Sequence, residues 1–198
     1  MKTNKSKALG FDLDDVLLNF NDALCMYHNS MFGTNYGRSD VAIIEIEKIW
    51  GCSSEDAIKR TKSFYESPGH LNAEPVQGSI AGIEKLKLNN DLYIITSKPE
   101  NLKQVTMDWL EKHFPNTFKK TYFASKVHGD KNKRAKGEIC KEIGIELFVD
   151  DSIENANNIA SIGIPVLLYD APWNQGTISA NINRVYSWDE IIISINDL

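Results

Sequence analysis

Three carboxylates occupy four consecutive positions, Asp12, Asp14 and Asp15 in "GFDLDDV", directly after an apolar run. A second pair, Asp150 and Asp151 in "LFVDDS", follows another apolar run. Carboxylates brought together repel one another unless a cation offsets them. The donors are hard oxygens without an accompanying histidine or cysteine cluster, which suits Mg2+ better than Zn2+. Mg2+ held by one or two carboxylates keeps waters and bridges to phosphate oxygens, so the chemistry indicated is phosphoryl transfer. Asp12 is then the candidate nucleophile toward phosphorus. Asp14, two positions on, is placed to protonate the leaving alcohol and afterwards to activate water. Side chains of an extended segment alternate in direction, so Asp12 and Asp14 face one site while Asp15 points elsewhere, toward a helix end or an accessory segment.

The elements that must carry these residues are short apolar runs: "ALGF" at 8–11, "LYIIT" at 92–96, "TYFA" at 121–124, "ELFV" at 146–149 and "IPVLLY" at 164–169. Near-continuous apolarity of that length is expected of strands in a parallel sheet covered on both faces. Between them lie helical stripes, among them Ile80, Ile83 and Leu86, then Leu102, Val105 and Trp109, then Ile139 and Ile143, and finally Ile153, Ala156, Ile159 and Ala160. Gly144 and Gly163 follow two of these stripes where left-handed caps are expected. Ser187 and Glu190 form a candidate capping box for a last helix. The alternation predicts a three-layer, doubly wound α/β domain with a Rossmann-like parallel sheet. In such a sheet ligands gather beyond the carboxyl ends of the strands. That rule brings Asp12, Asp14, Thr96, Ser97, Lys98, Asp150, Asp151 and Ser152 to one edge, where the hydroxyl of Thr96 and a lysine would hold the phosphate oxygens.

From about Asn19 to Gly69 the pattern is helical throughout, including "SDVAIIEIEKIW", and contains no strand of the core type. A small inserted helical cap over the end of strand 1 is expected at residues 19–69. The α/β core then comprises 1–18 and 70–198. "ESPGHLNAEPVQGS" is the returning linker.

Composition narrows the partners. The 198 residues carry 22 basic and 27 acidic side chains, a formal charge of −5, which disfavours long nucleic acid held by bulk electrostatics. A small phosphorylated metabolite is compatible, because a metal and local lysines reverse the potential inside a cleft. Three separated cysteines, Cys25, Cys52 and Cys140, argue against a disulfide scaffold. With no apolar run long enough to cross a bilayer and no signal-peptide core, a soluble cytoplasmic protein is expected.

In "FDLDDV", "IITS", "KGEICKEIGI" and "FVDDS" the chain resembles the four motifs of the haloacid dehalogenase-like superfamily of phosphatases, in the order of that family and over residues 8 to about 170. The resemblance implies a nucleophile at Asp12, an acid–base at Asp14, phosphate binding by Thr96 and Lys136, and Mg2+ held by Asp12, Asp150, the backbone carbonyl of Asp14 and, directly or through water, Asp151. Lys133 is the second choice for the lysine; Lys126 and Lys131 are read as surface charges. True dehalogenases of the superfamily lack the second aspartate, so Asp14 implies phosphate chemistry. The inserted cap, the Thr96–Ser97 pair followed by Lys98 and Pro99, and "APWN" are similar to the small 5′(3′)-deoxyribonucleotidases. That similarity implies a nucleoside monophosphate substrate stacked on cap aromatics, for which Phe20, Tyr27, Trp50, Phe64 and Tyr65 are candidates. Each of these rings could equally build the cap's own core. Phosphatases of sugar and other small-metabolite phosphates, phosphotransferases, polynucleotide 3′-phosphatases and receiver-type switches share parts of the pattern. The switch places its phosphoaccepting aspartate after a middle strand, and "LYIIT" and "TYFA" end without one.

Overall fold

A computed structural model describes residues 6–43, 45–124 and 134–197. Six strands form one parallel sheet: β1 (Lys7–Phe11), β2 (Asn90–Thr96), β3 (Lys120–Phe123), β4 (Leu147–Asp150), β5 (Val166–Tyr169) and β6 (Ile182–Val185), in the order β3-β2-β1-β4-β5-β6. The chain winds outward from β1 in one direction and then from β4 in the other, so the order reverses between these two neighbours. Asp12 follows β1 and Asp150 ends β4, which sets both at the switch point where a crevice opens in such sheets.

The alternation of side chains along each strand separates two cores. On one face Leu9, Phe11, Leu92, Ile94 and Val149 pack with Ile83, Trp109, Trp188 and Ile191 from α5 (Ser79–Leu86), α6 (Lys103–His113) and α9 (Trp188–Asn196). On the other face Ile95, Phe148, Val166 and Leu168 pack with Ile139, Cys140, Ala156 and Ile159 from α7 (Lys136–Ile143) and α8 (Ile153–Ala160). The expected three-layer arrangement is thus present. Two tight approaches hold it. Trp188 stacks on Phe11 with ring centroids 5.9 Å apart and donates Nε1–H to the Val16 carbonyl at 3.0 Å. Gly10 lies flat against Phe148, where a Cβ would come within 2.4 Å of the ring.

Three details depart from the sequence reading. β6 is a sixth strand beyond the five expected; "INRV" hides because it is an edge strand with only Ile182 and Val185 buried. "SDVAIIEIEKIW" is not one helix but a 3₁₀ turn at Arg38–Asp40, an irregular stretch and then α2 (Ile46–Trp50). There the Asp40 carboxylate accepts the Gly37 N–H at 2.8 Å, a local bond that competes with helix. Ile80 is exposed, and α5 buries Ser79, Gly82, Ile83 and Leu86 instead. The Ser187 cap of α9 is present, with its hydroxyl accepting from Glu190 N–H, while the Glu190 carboxylate reaches Tyr186 N–H.

Between β1 and α5 the chain forms α1 (Phe20–Phe32), α2, α3 (Ser54–Tyr65) and a single turn α4 (Pro68–Leu71). These helices have a small core of Leu24, Trp50, Ala57 and Phe64. Backbone bonds tie its root to the sheet side: Asn19 N–H to the Glu74 carbonyl at 3.0 Å and Val76 N–H to the Leu17 carbonyl at 2.7 Å. Among the described residues no helix is long and apolar enough to cross a membrane.

Replacing Gly10 by Ala should cost about 1–3 kcal/mol, because overpacking forces Phe148 or the strand to move. Chemical denaturation should register a lower midpoint with an unchanged slope; a neutral result would mean that the β1–Phe148 contact is not tight.

Candidate active site

Asp12 Oδ1 accepts from its neighbour Leu13 N–H at 2.7 Å and lies 2.9 Å from Lys136 Nζ. The same ammonium donates to Asp150 Oδ2 at 2.8 Å, and its side chain is 2% exposed. Lys136 is the first residue of α7, which is how a residue distant in sequence reaches the ends of β1 and β4. Asp150 Oδ1 accepts from Ser152 N–H at 2.8 Å, and Ser152 in turn caps α8. Carboxylate oxygens of Asp12, Asp150 and Asp151 all lie within 4.8 Å of one another. Thr96, fully buried at the end of β2, accepts from Lys98 N–H at 3.1 Å, which leaves its hydroxyl proton for an incoming oxygen. Ser97 is exposed. Lys126, Lys131 and Lys133 lie outside the described residues.

The structure divides the other two acids from this cluster. Asp14 points its Oδ1 at Lys98 Nζ, 2.8 Å away, with the lysine side chain 1% exposed. Asp15 turns from the Asp12 cluster toward the helical insertion, its backbone in the left-handed region at φ 54°, although it still borders the cavity described below. Its carboxylate pairs with Arg38 at 2.6 Å and accepts from the Asn21 side chain at 2.7 Å. Asp15 thus seats the cap and stays apart from the Asp12 site, in keeping with its expected orientation. Arg38 also stacks on Trp173 at 4.7 Å, and Trp173 Nε1–H donates to Asp151 Oδ2 at 2.7 Å. Arg38 belongs to no motif; Lys98 is expected at this sheet edge and Trp173 stands in "APWN", but the contacts of all three are not signalled locally. Their partners lie 23, 84 and 22 positions away in sequence.

Charge follows from this geometry. Five carboxylates, Asp12, Asp14, Asp15, Asp150 and Asp151, face three cations, Lys136, Lys98 and Arg38. Among the described residues two negative charges remain uncompensated, both within the Asp12–Asp150–Asp151 group. Burial pushes Asp12 up to about 7 against the pull of Lys136. Burial, with Asp150 and Asp12 adding repulsion, also pushes Asp151 well above the usual carboxylate range. Burial works against the Lys136 ammonium, but Asp12 and Asp150 outweigh it and hold its pKa above the ordinary lysine value. A divalent cation among three oxygen donors answers this deficit, and the donor set fits a hard metal.

Above the cluster a cavity of about 350 Å³ opens between core and cap. Asp14, Asp151 and Ser152 line its floor; Phe20, Leu24, Val41, Ile43, Ile46, Tyr65 and Trp173 line its apolar wall. Of the candidate aromatics, Phe20 and Tyr65 are at the cavity. Phe64 is fully buried in the cap core, and Trp50 stacks on His28 with centroids 4.2 Å apart. Tyr27 packs against Phe64 and borders a groove on another side of α1. These three serve packing of the cap and do not reach the cavity.

A doubly wound sheet, a helical insertion after the first strand and acids at the β1 and β4 ends make up the fold of the haloacid dehalogenase-like hydrolases. The fold agrees with that of a haloacid dehalogenase-like hydrolase from Streptococcus pneumoniae, at a TM-score of 0.67 and 16% identity over 98% of this chain and all of that one. Within this class the chain belongs to the family described as 5′ nucleotidase, deoxy (pyrimidine), cytosolic type C protein, whose profile matches residues 6–197. A Halalkalibacterium halodurans protein provisionally named a nucleotidase is 27% identical over 192 residues, covering 96% of this chain and 93% of that one. A Clostridium acetobutylicum protein named nucleotidase is 27% identical over 167 residues, covering 82% of this chain and 80% of that one.

Two measurements test the charge account. An acid whose folded pKa is raised, as for Asp12 from 3.8 to about 7, removes stability as pH rises between those values. Mg2+ should therefore raise the melting temperature, and more at pH 8 than at pH 6, where protons compete for the same oxygens; the reverse order would contradict the account. Arg38→Met should strand Asp15 without its counter-charge and cost about 1–3 kcal/mol. The loss should appear as faster amide exchange across residues 20–65, with the sheet unchanged.

Proposed function

We propose that the protein is a Mg2+-dependent 5′(3′)-nucleotidase that hydrolyses small (deoxy)nucleoside monophosphates through an aspartyl-phosphate on Asp12. The observation that carries this reading is that Asp151, whose carboxylate lies within 4.8 Å of those of Asp12 and Asp150, lines a cavity together with Asp14, Phe20, Tyr65 and Trp173. When bound, Mg2+ offsets the two surplus charges and so lets a phosphate dianion enter; Asp12, Asp150, Asp151 and the Asp14 backbone carbonyl would hold it.

In the first step, entered with a proton on the Asp14 carboxyl group, an Asp12 carboxylate oxygen attacks phosphorus, the ester P–O bond breaks, and Asp14 passes that proton to the departing alcohol oxygen. Lys136 and the hydroxyls of Thr96 and Ser97 hold the phosphoryl oxygens as charge moves onto them. In the second step water attacks the same phosphorus, its proton passes to Asp14, and the P–O bond to Asp12 breaks. Inorganic phosphate leaves and both carboxyl groups regain their starting states. The aromatic wall supports a flat, uncharged leaving group over a polyhydroxylated sugar, because rings stack on a base and offer a sugar few hydrogen bonds. A cavity of about 350 Å³ favours a mononucleotide over a phospho-oligonucleotide. The three cysteines are unpaired, in keeping with the cytoplasmic location we assign.

The test is phosphate release with Mg2+ from p-nitrophenyl phosphate and from a panel of 5′ and 3′ nucleoside monophosphates, sugar phosphates and phospho-oligonucleotides. EDTA should abolish turnover, and Asp12→Asn should lower it by at least ~10³-fold. Undiminished activity in Asp12→Asn would sink the covalent route. Sugar phosphates turned over as well as nucleotides would defeat the substrate class alone.

A further inference from the structure

Lys98 is buried as deeply as Lys136, yet neither the aspartate cluster nor the phosphate-binding set uses it. Its ammonium lies 2.8 Å from Asp14 Oδ1, 3.5 Å from His70 Nε2, and 4.8 Å from the ring centroids of both Phe20 and Tyr65. Its backbone N–H meanwhile donates to Thr96 Oγ1. His70 is fully buried and held neutral, its pKa pushed down to about 3 by burial and then by Lys98, so its ring can accept from the ammonium. Each direction in which the ammonium could donate already has an acceptor or a ring face. The lysine is therefore committed to the protein and is not free to bind a phosphate.

Asp14, by contrast, is partly exposed to the cavity, and its buried Oδ1 receives no well-aligned hydrogen bond. The charge of Lys98 is what compensates that oxygen. The same charge sits over the two rings that the cap contributes to the cavity wall, where the ring faces attract it. Phe20 begins α1 and Tyr65 ends α3, so one ammonium joins an acid after β1 to two cap helices.

We propose that Lys98 is a positioning residue, which fixes the Asp14 carboxylate to the Phe20–Tyr65 wall so that the acid–base group and the surface receiving the leaving group form one rigid unit. The proposal rests on the phosphatase reading of Asp14 given above. It implies that Lys98 matters in proportion to how much the leaving group needs a proton. p-Nitrophenolate departs readily as an anion, whereas the alkoxide of a nucleoside does not, and general-acid help is worth about 10²–10⁴-fold where it is needed.

The experiment compares wild type, Lys98→Met, Lys98→Arg, Asp14→Asn and the double variant Lys98→Met/Asp14→Asn. The substrates are p-nitrophenyl phosphate and the best alkyl phosphate of the panel, both at saturating Mg2+. Lys98→Met should lower kcat for the alkyl ester by ~10–100-fold and for the aryl ester by less than ~5-fold. Lys98→Arg should recover part of the loss. In the Asp14→Asn background Lys98→Met should have almost no further effect, since the two act through one group. Equal losses on both esters, or full additivity in the double variant, would overturn the proposal, because a residue that only supports the fold gives that pattern. Tyr65→Leu carries the same test should Lys98→Met fail to fold, and it should shift the alkyl-to-aryl ratio of kcat in the same direction; an unchanged ratio would overturn the proposal. Wild type inactive on both esters is a separate result, which removes the phosphatase reading and this inference with it.

Discussion

The crowding of carboxylates at one sheet edge is the constraint from which the rest of the site follows. Near-total burial of Asp12, Asp150 and Lys136 makes each charge expensive unless it is paired, so pairing is decided residue by residue. Asp15 is satisfied by the cap and Asp14 by the loop after β2. Lys136 is shared by two acids and cannot neutralise both, and among the described residues the Asp151 carboxylate meets an indole N–H alone. The deficit is thus confined to one spot a few ångströms wide. That localisation suits a small divalent cation, where a diffuse acidic surface would attract only a screened ion atmosphere.

The sheet supplies this spot through topology. Parallel strands point all their carboxyl ends one way, and the reversal of order between β1 and β4 leaves no crossover helix covering the gap there. Asp12 and Asp150 enter from the two strands that flank the gap, Thr96 from β2 next door, and Lys136 from the start of the helix leading into β4. Rigidity comes from the two apolar cores, one on each face, which hold the strands that carry the acids.

The helical insertion and the acid cluster are not independent. Arg38 bridges Asp15 and the Trp173 ring, and that ring's N–H holds Asp151. Lys98 makes a second bridge, from Asp14 to Phe20 and Tyr65. Both bridges start from acids of the same "DLDD" stretch or end on an acid of the cluster, so seating the cap and ordering the acids draw on the same ion pairs.

Much of this is legible in the sequence, for a physical reason. Strands and motif acids are local: an apolar run followed by aspartates identifies itself, and strand polarity then says where the acids meet. Arg38, Lys98 and Trp173 act through contacts across long sequence separations, and a charged residue in a loop carries no mark of its partner. β6 is missed because an edge strand with two buried side chains has little pattern to offer. The cap aromatics are subtler. A helical insertion of some 50 residues must build a core of its own, and large rings are the efficient means, so Trp50 and Phe64 go inward. The rings left for the cavity are those at helix ends facing the sheet, Phe20 at the start of α1 and Tyr65 at the close of α3. Position along the cap helix, rather than aromatic character, therefore separates wall from core, and that position becomes readable only once the helix bounds are known.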